Sequence, residues 1–211
     1  INLDAENVQA FYFAACFGYS DLGRKCRLLS DGSGSADAHR CRRETVLQML
    51  QRALALHELH GWSWLGASVT HMDLGNLSES RWCAEQTTEQ QGFAGVAHCF
   101  LGELMRRMHK YDEARSHCLT SIKAFDDSDN LYGDTYRGMT LCTLGKSALA
   151  QGDLAAARAA FRQAELHARG RNRARAVGHP FVHALCGLAE TGNDPASFHE
   201  ALDSYTARAN F

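Results

Sequence analysis

His179, His183 and Cys186 stand at i, i+4 and i+7. On a helix that spacing puts two imidazoles and a thiol on one face, a donor set that suits zinc. A fourth ligand is not evident, and the HExxH pattern is missing because Pro180, Phe181 and Val182 separate the histidines. No metal is assigned. His98-Cys99 and His117-Cys118 are adjacent pairs, whose members point apart on a helix. With eight cysteines and 11 histidines, some chance proximity is expected. No cysteine lies in a signature of a catalytic nucleophile, so the chain is read as non-enzymatic, with no catalytic residue and no cofactor. Asp127-x-Asp129 opens like a calcium loop, but Leu131 follows and the required Gly and terminal Glu are misplaced. Gly32-x-Gly34 lacks the Lys-Ser/Thr of a phosphate loop.

Arg169, Arg171, Arg173 and Arg175 place four guanidinium groups within seven residues. Such a patch could hold phosphate or an acidic partner. It is also the charge expected at a helix C-terminus, where cations meet the negative end of the dipole. Lys and Arg total 22 against 24 Asp and Glu, a net charge of −2. That balance, with no interleaved aromatics, argues against a nucleic-acid partner. No apolar run reaches the length of a membrane span. The N-terminal apolar run Ala10–Phe17 lacks a basic leader, so no signal peptide is read. The widely spaced cysteines fall inside apolar patterns and are expected as reduced, packing thiols of a cytoplasmic protein.

These side chains need a scaffold. Ile and Val together number 8, Ala and Leu 55, and proline occurs twice. That composition predicts an all-α protein. Apolar spacing and turn residues predict helices at 4–18, 21–30, 40–60, 63–74, 78–91, 93–109, 112–125, 133–151, 154–170, 178–191 and 195–208. The expected organisation is one domain over 1–211, with N-terminal helices over 1–60 and helix pairs over 61–211. Trp62 and Trp64 are expected in the core.

One pattern recurs. Leu101-Gly102, Ala114-Arg115 and Ser121 are matched 43 residues later by Leu144-Gly145, Ala157-Arg158 and Ala164. Each unit reads helix, tight turn, helix. The small residues let two helices approach closely. Leu144, Gly145, Ala157, Phe161 and Ala164 resemble the tetratricopeptide repeat family. Leu101, Gly102 and Ala114 follow it too, while Cys118 and Ser121 replace the aromatic and the Ala. The 43-residue period exceeds the family's 34 and is similar to repeats of large bacterial regulators of the maltose-regulator type.

The resemblance implies an α-solenoid in which the first helix of each pair lines a groove for a protein or peptide. Counted from Gly102 and Gly145, the groove positions are Val96, Cys99, Glu103 and Arg106, then Met139, Cys142, Lys146 and Leu149. The Lys/Asn clamp of the family's chaperone-tail binders is absent. The implied role is a protein-binding scaffold in a larger regulator. The alternative is a sensor that binds a small molecule within the superhelix. Self-association is a further possibility, since a repeat array exposes apolar ends.

Overall fold

In the computed structural model, residues 36–127, 133–170 and 179–192 are described, together with Gln9 and Ala15. Eight helices occur among the described residues: α1 (Ala36–Leu56), α2 (Gly61–Leu74), α3 (Leu77–Thr88), α4 (Ala94–Arg107), α5 (Tyr111–Asp126), α6 (Gly133–Ala150), α7 (Leu154–Gly170) and α8 (His179–Gly192). No strand occurs among these residues, as the Ala/Leu-rich composition predicts. The expected helices at 4–18, 21–30 and 195–208 lie outside the described residues, apart from Gln9 and Ala15, which are helical. None of the described helices is long and apolar enough to cross a membrane.

The chain divides into two compact units, Ile1–Phe93 and Ala94–Phe211. In the first, α1 packs on α2 and α2 on α3. Its core joins Val46 and Leu50 of α1, Ala67 of α2 and Cys83 of α3, with Trp64 packed against them. Trp62 stacks edge-on against Phe93, with ring centroids 4.9 Å apart, and Trp64 against Trp82 at 5.0 Å. Both tryptophans were expected in the core. They are half-buried at its edge and make these ring contacts there. Ser68 and Ser80 join α2 to α3. Ser68 Oγ donates to the Ser80 carbonyl at 2.9 Å, and Ser80 Oγ donates to the Ser68 carbonyl at 2.8 Å. Two buried hydroxyls thus satisfy each other's backbone, as burial demands.

In the second unit α4 pairs with α5, and α6 with α7. The first helices lie side by side, α4 against α6 and α6 against α8. Phe161 of α7 is 1% exposed and packs with Ala157 and Leu188. A methyl group on Gly145 would lie 2.7 Å from its ring, and one on Gly187 would lie 2.4 Å from it. The two glycines therefore form the slot that holds the phenyl group. In the preceding pair Gly102 plays this part against Cys118, whose sulfur would lie 2.8 Å from an added methyl.

Each pair turns in the same way. Gly75, His109 and Gly152 have φ of 82°, 59° and 79°. In each turn the next residue's N–H reaches back to close the helix: Asn76 to the His71 carbonyl, Lys110 to Met105 and Asp153 to Ala148, each at 2.9 Å. This is the Schellman arrangement, in which a left-handed residue satisfies the last carbonyls of a helix. Asp153 then caps α7 by accepting from the Ala156 N–H at 2.9 Å.

His109 alone of the three carries a Cβ, which the left-handed region penalises by about 1–2 kcal/mol. Glycine would lose part of that gain to chain entropy and would forfeit the 2.8 Å contact of His109 Nδ1 with the Tyr111 hydroxyl. We expect His109→Gly to stabilise the protein by about 0.5–1 kcal/mol, and His109→Val to destabilise it. Urea unfolding monitored by circular dichroism measures both signs.

Candidate functional site: the first-helix face of α4 and α6

Helix α4 presents Glu103, Arg106 and Arg107 near its C-terminal end, the first two half-buried and Arg107 exposed. Glu103 is the hub. Its Oε1 accepts from Arg106 Nη2 at 2.7 Å and from Arg107 Nε at 3.1 Å. Its Oε2 accepts from Arg106 Nε at 2.8 Å and from Thr143 Oγ1 of α6 at 3.2 Å. Two oxygens therefore hold four donors, the full lone-pair capacity of a carboxylate. Burial pushes the carboxyl up, but the two arginines outweigh it and hold Glu103 below the ordinary carboxylate range. The same pairing raises Arg106.

Helix α6 contributes Met139, Lys146 and Leu149, all half-buried. Leu149 packs against the cluster of Ala157, Phe161 and Leu188. Lys146 acts electrostatically on Cys142 of its own helix and on Cys186 of α8. The expected groove residues thus divide in two. Glu103, Arg106, Met139, Lys146 and Leu149 remain reachable from solvent. Val96 and Cys99 are each 2% exposed and Cys142 4%. The reason is the packing of successive first helices. Cys99 Sγ lies 3.6 Å from the Tyr136 carbonyl of α6, and Cys142 packs with Ala164 of α7 and Ala184 of α8. These three side chains support the face from beneath.

Five thiols lie among the described side chains, and their surroundings oppose ionisation. Burial pushes Cys83, Cys99 and Cys142 up to about 12, and raises Cys118 and Cys186 as well. A nucleophilic cysteine needs its thiolate, and these environments oppose it. All five are free thiols. Among the described residues no group of three or more His, Cys, Asp or Glu is arranged around a common metal position. The side chains of His179 and His183 lie outside the described ones. Arg169 falls in the last turn of α7, its side chain likewise outside them, and Arg171, Arg173 and Arg175 lie outside the described residues. Asp126 ends α5, one residue beyond the expected helix at 112–125, and pairs with Arg137 of α6.

Sequence reading missed two features. His98 and His117 meet across α4 and α5, their Nδ1 atoms 3.0 Å apart. Their separation of 19 residues becomes meaningful only once the turn at His109 fixes the register. The second is a repeat register in the first unit. Ser68, Ser80, Ala84 and Thr87 precede Gly102, Ala114, Cys118 and Ser121 by 34 positions each. The turn residues Gly75 and His109 keep that same offset.

Comparison with known proteins agrees with this architecture. Residues 93–165 match the model of the tetratricopeptide repeat. No curated protein matches the sequence. Among solved structures, the chain is similar to the pilF protein of Pseudomonas aeruginosa, at 14% identity and a TM-score of 0.62, over 94% of this chain and 75% of that one. It is similar to MamA at 15% identity and a TM-score of 0.53, over 84% of this chain and 99% of the other. It is also similar to YrrB, described as a tetratricopeptide-repeat protein with an unusual peptide-binding site. That match has 13% identity and a TM-score of 0.52, over 95% and 93% of the two chains. The sequence pattern at 101–164, the paired helices and these likenesses converge, and the chain carries tetratricopeptide repeats over 93–165.

Proposed function

We propose that the chain is a non-catalytic scaffold that binds an extended segment of a protein partner along the α4–α6 face, as the interaction part of a larger regulator. The observation that carries this is the Glu103–Arg106–Arg107–Thr143 network. It fixes charged groups on the first-helix face in one geometry before any partner arrives, and pre-organisation lowers the cost of binding. Burial of Met139 and Leu149 would supply affinity, while Arg106 and Lys146 would orient the segment. The peptide-binding site of YrrB, a protein of the same fold, supports the assignment to a peptide partner. The burial of Cys83, Cys99, Cys118 and Cys142, which opposes a thiolate, supports the non-catalytic reading.

A displayed library of random peptides, selected on the immobilised protein, tests it. Enriched peptides should bind the Met139→Glu, Lys146→Glu variant about tenfold or more weakly, a loss of about 1.4 kcal/mol. Leu119→Glu, on the exposed face of α5, should leave affinity unchanged. If no peptide is enriched, or if both variants bind equally, the groove reading fails and a small-molecule ligand takes its place.

A further inference from the structure

His98 of α4 and His117 of α5 are both half-buried, with ring centroids 5.2 Å apart and planes at 27°. Their Nδ1 atoms approach to 3.0 Å. Two nitrogens bound about 2.0–2.1 Å from one metal, at a bond angle between square and tetrahedral, stand about 2.9–3.4 Å apart. The observed separation falls in that interval. We propose that His98 and His117 chelate one divalent transition metal of the zinc, nickel and copper class through Nδ1, with water completing the coordination.

The chemistry of the pair fits. Imidazole is the ligand these metals share, and it binds only when neutral. Aiming both lone pairs at one point requires rotation about the Cβ–Cγ bonds, the soft torsion of histidine. The scaffold restricts everything else, because the two helices are locked by the turn at His109 and by the close contact of Gly102 with Cys118. The site is separate from the proposed peptide face. Glu103, the nearest charged hub of α4, already has its lone pairs occupied.

The test is a calorimetric titration of Ni(II) into untagged protein near pH 7.5, in parallel with proton NMR of the histidine rings. The wild type should bind one equivalent more tightly than His98→Ala or His117→Ala by at least about 10–100-fold, since even loss of outer-shell partners costs that much. His57→Ala, which removes an exposed histidine outside α4 and α5, should retain the site. The paramagnetic ion should broaden the ring resonances of His98 and His117 first. Equal affinity in wild type and His98→Ala, or first broadening at other histidines, overturns the proposal. The NMR result on the wild type decides even if a variant does not fold.

Discussion

Phe161→Ala should cost about 3–5 kcal/mol, the range for deleting a fully buried aromatic. That is a large share of the about 5–15 kcal/mol that holds a typical domain together. The ring lies at the meeting of three helices: its own α7, α6 through Gly145 and α8 through Gly187. Removing it empties a slot whose walls are backbone and cannot collapse far. The walls make the converse prediction. Gly145→Ala or Gly187→Ala puts a methyl into occupied space and should cost about 1–3 kcal/mol. In the Gly187→Ala background Phe161→Leu should then cost less than in the wild type, because the smaller side chain relieves the overlap. Chemical unfolding of the four proteins of this cycle gives the coupling. If the costs simply add, the glycine slot is not what holds the ring.

This contact was legible in the sequence, and the reason is physical. Gly145, Ala157, Phe161 and Ala164 are apolar or small at fixed offsets, so the pattern and the packing are the same fact. The first unit was harder to read. There the close approach is made by Ser68 and Ser80, whose hydroxyls bond reciprocally to backbone carbonyls. Polar residues at core positions mask the periodicity, and the 34-residue register was hidden while the 43-residue offset stood out. The extra length of the later unit falls between the turns at His109 and Gly152, where α5 and α6 run to 16 and 18 residues. Turn chemistry left one left-handed residue unannounced, although the break after 109 was read. Gly75 and Gly152 announce left-handed residues, whereas His109 does not, although its backbone is the same.

The face proposed for partner binding was legible in outline only. Counting from Gly102 and Gly145 identified the side of the helix, but a single helix cannot show what its neighbour covers. Packing of α6 on α4 encloses Cys99, and α7 and α8 enclose Cys142. Glu103 was expected among the groove positions, and the structure adds that its charge is spent on Arg106 and Arg107. Partners at i+3 and i+4 were visible in the sequence. Thr143, 40 residues away, was not.

Glu103→Gln is therefore the sharper probe of how the face is built, and it should destabilise the protein by about 2–3 kcal/mol. The substitution keeps the shape but removes the charge, and hydrogen bonds to a charged group contribute about 1.5–3 kcal/mol. Its amide nitrogen must also point at donors, either Arg106 Nη2 with Arg107 Nε or Arg106 Nε with Thr143 Oγ1. Thr143→Val removes one neutral donor and should cost about 1 kcal/mol. The pH dependence separates charge from shape. The folded protein holds Glu103 below its ordinary value of 4.5, so its contribution is full above that value. It is lost as pH falls through the lower, folded value, because the unfolded chain then binds the extra proton. Glutamine has no such proton. The stability gap between wild type and Glu103→Gln should thus be constant from pH 7 to about 5.5 and shrink on further acidification. A gap that stays constant down to pH 3 would mean that the carboxylate acts through shape alone, and that the arginines of the α4 face are held by something other than its charge.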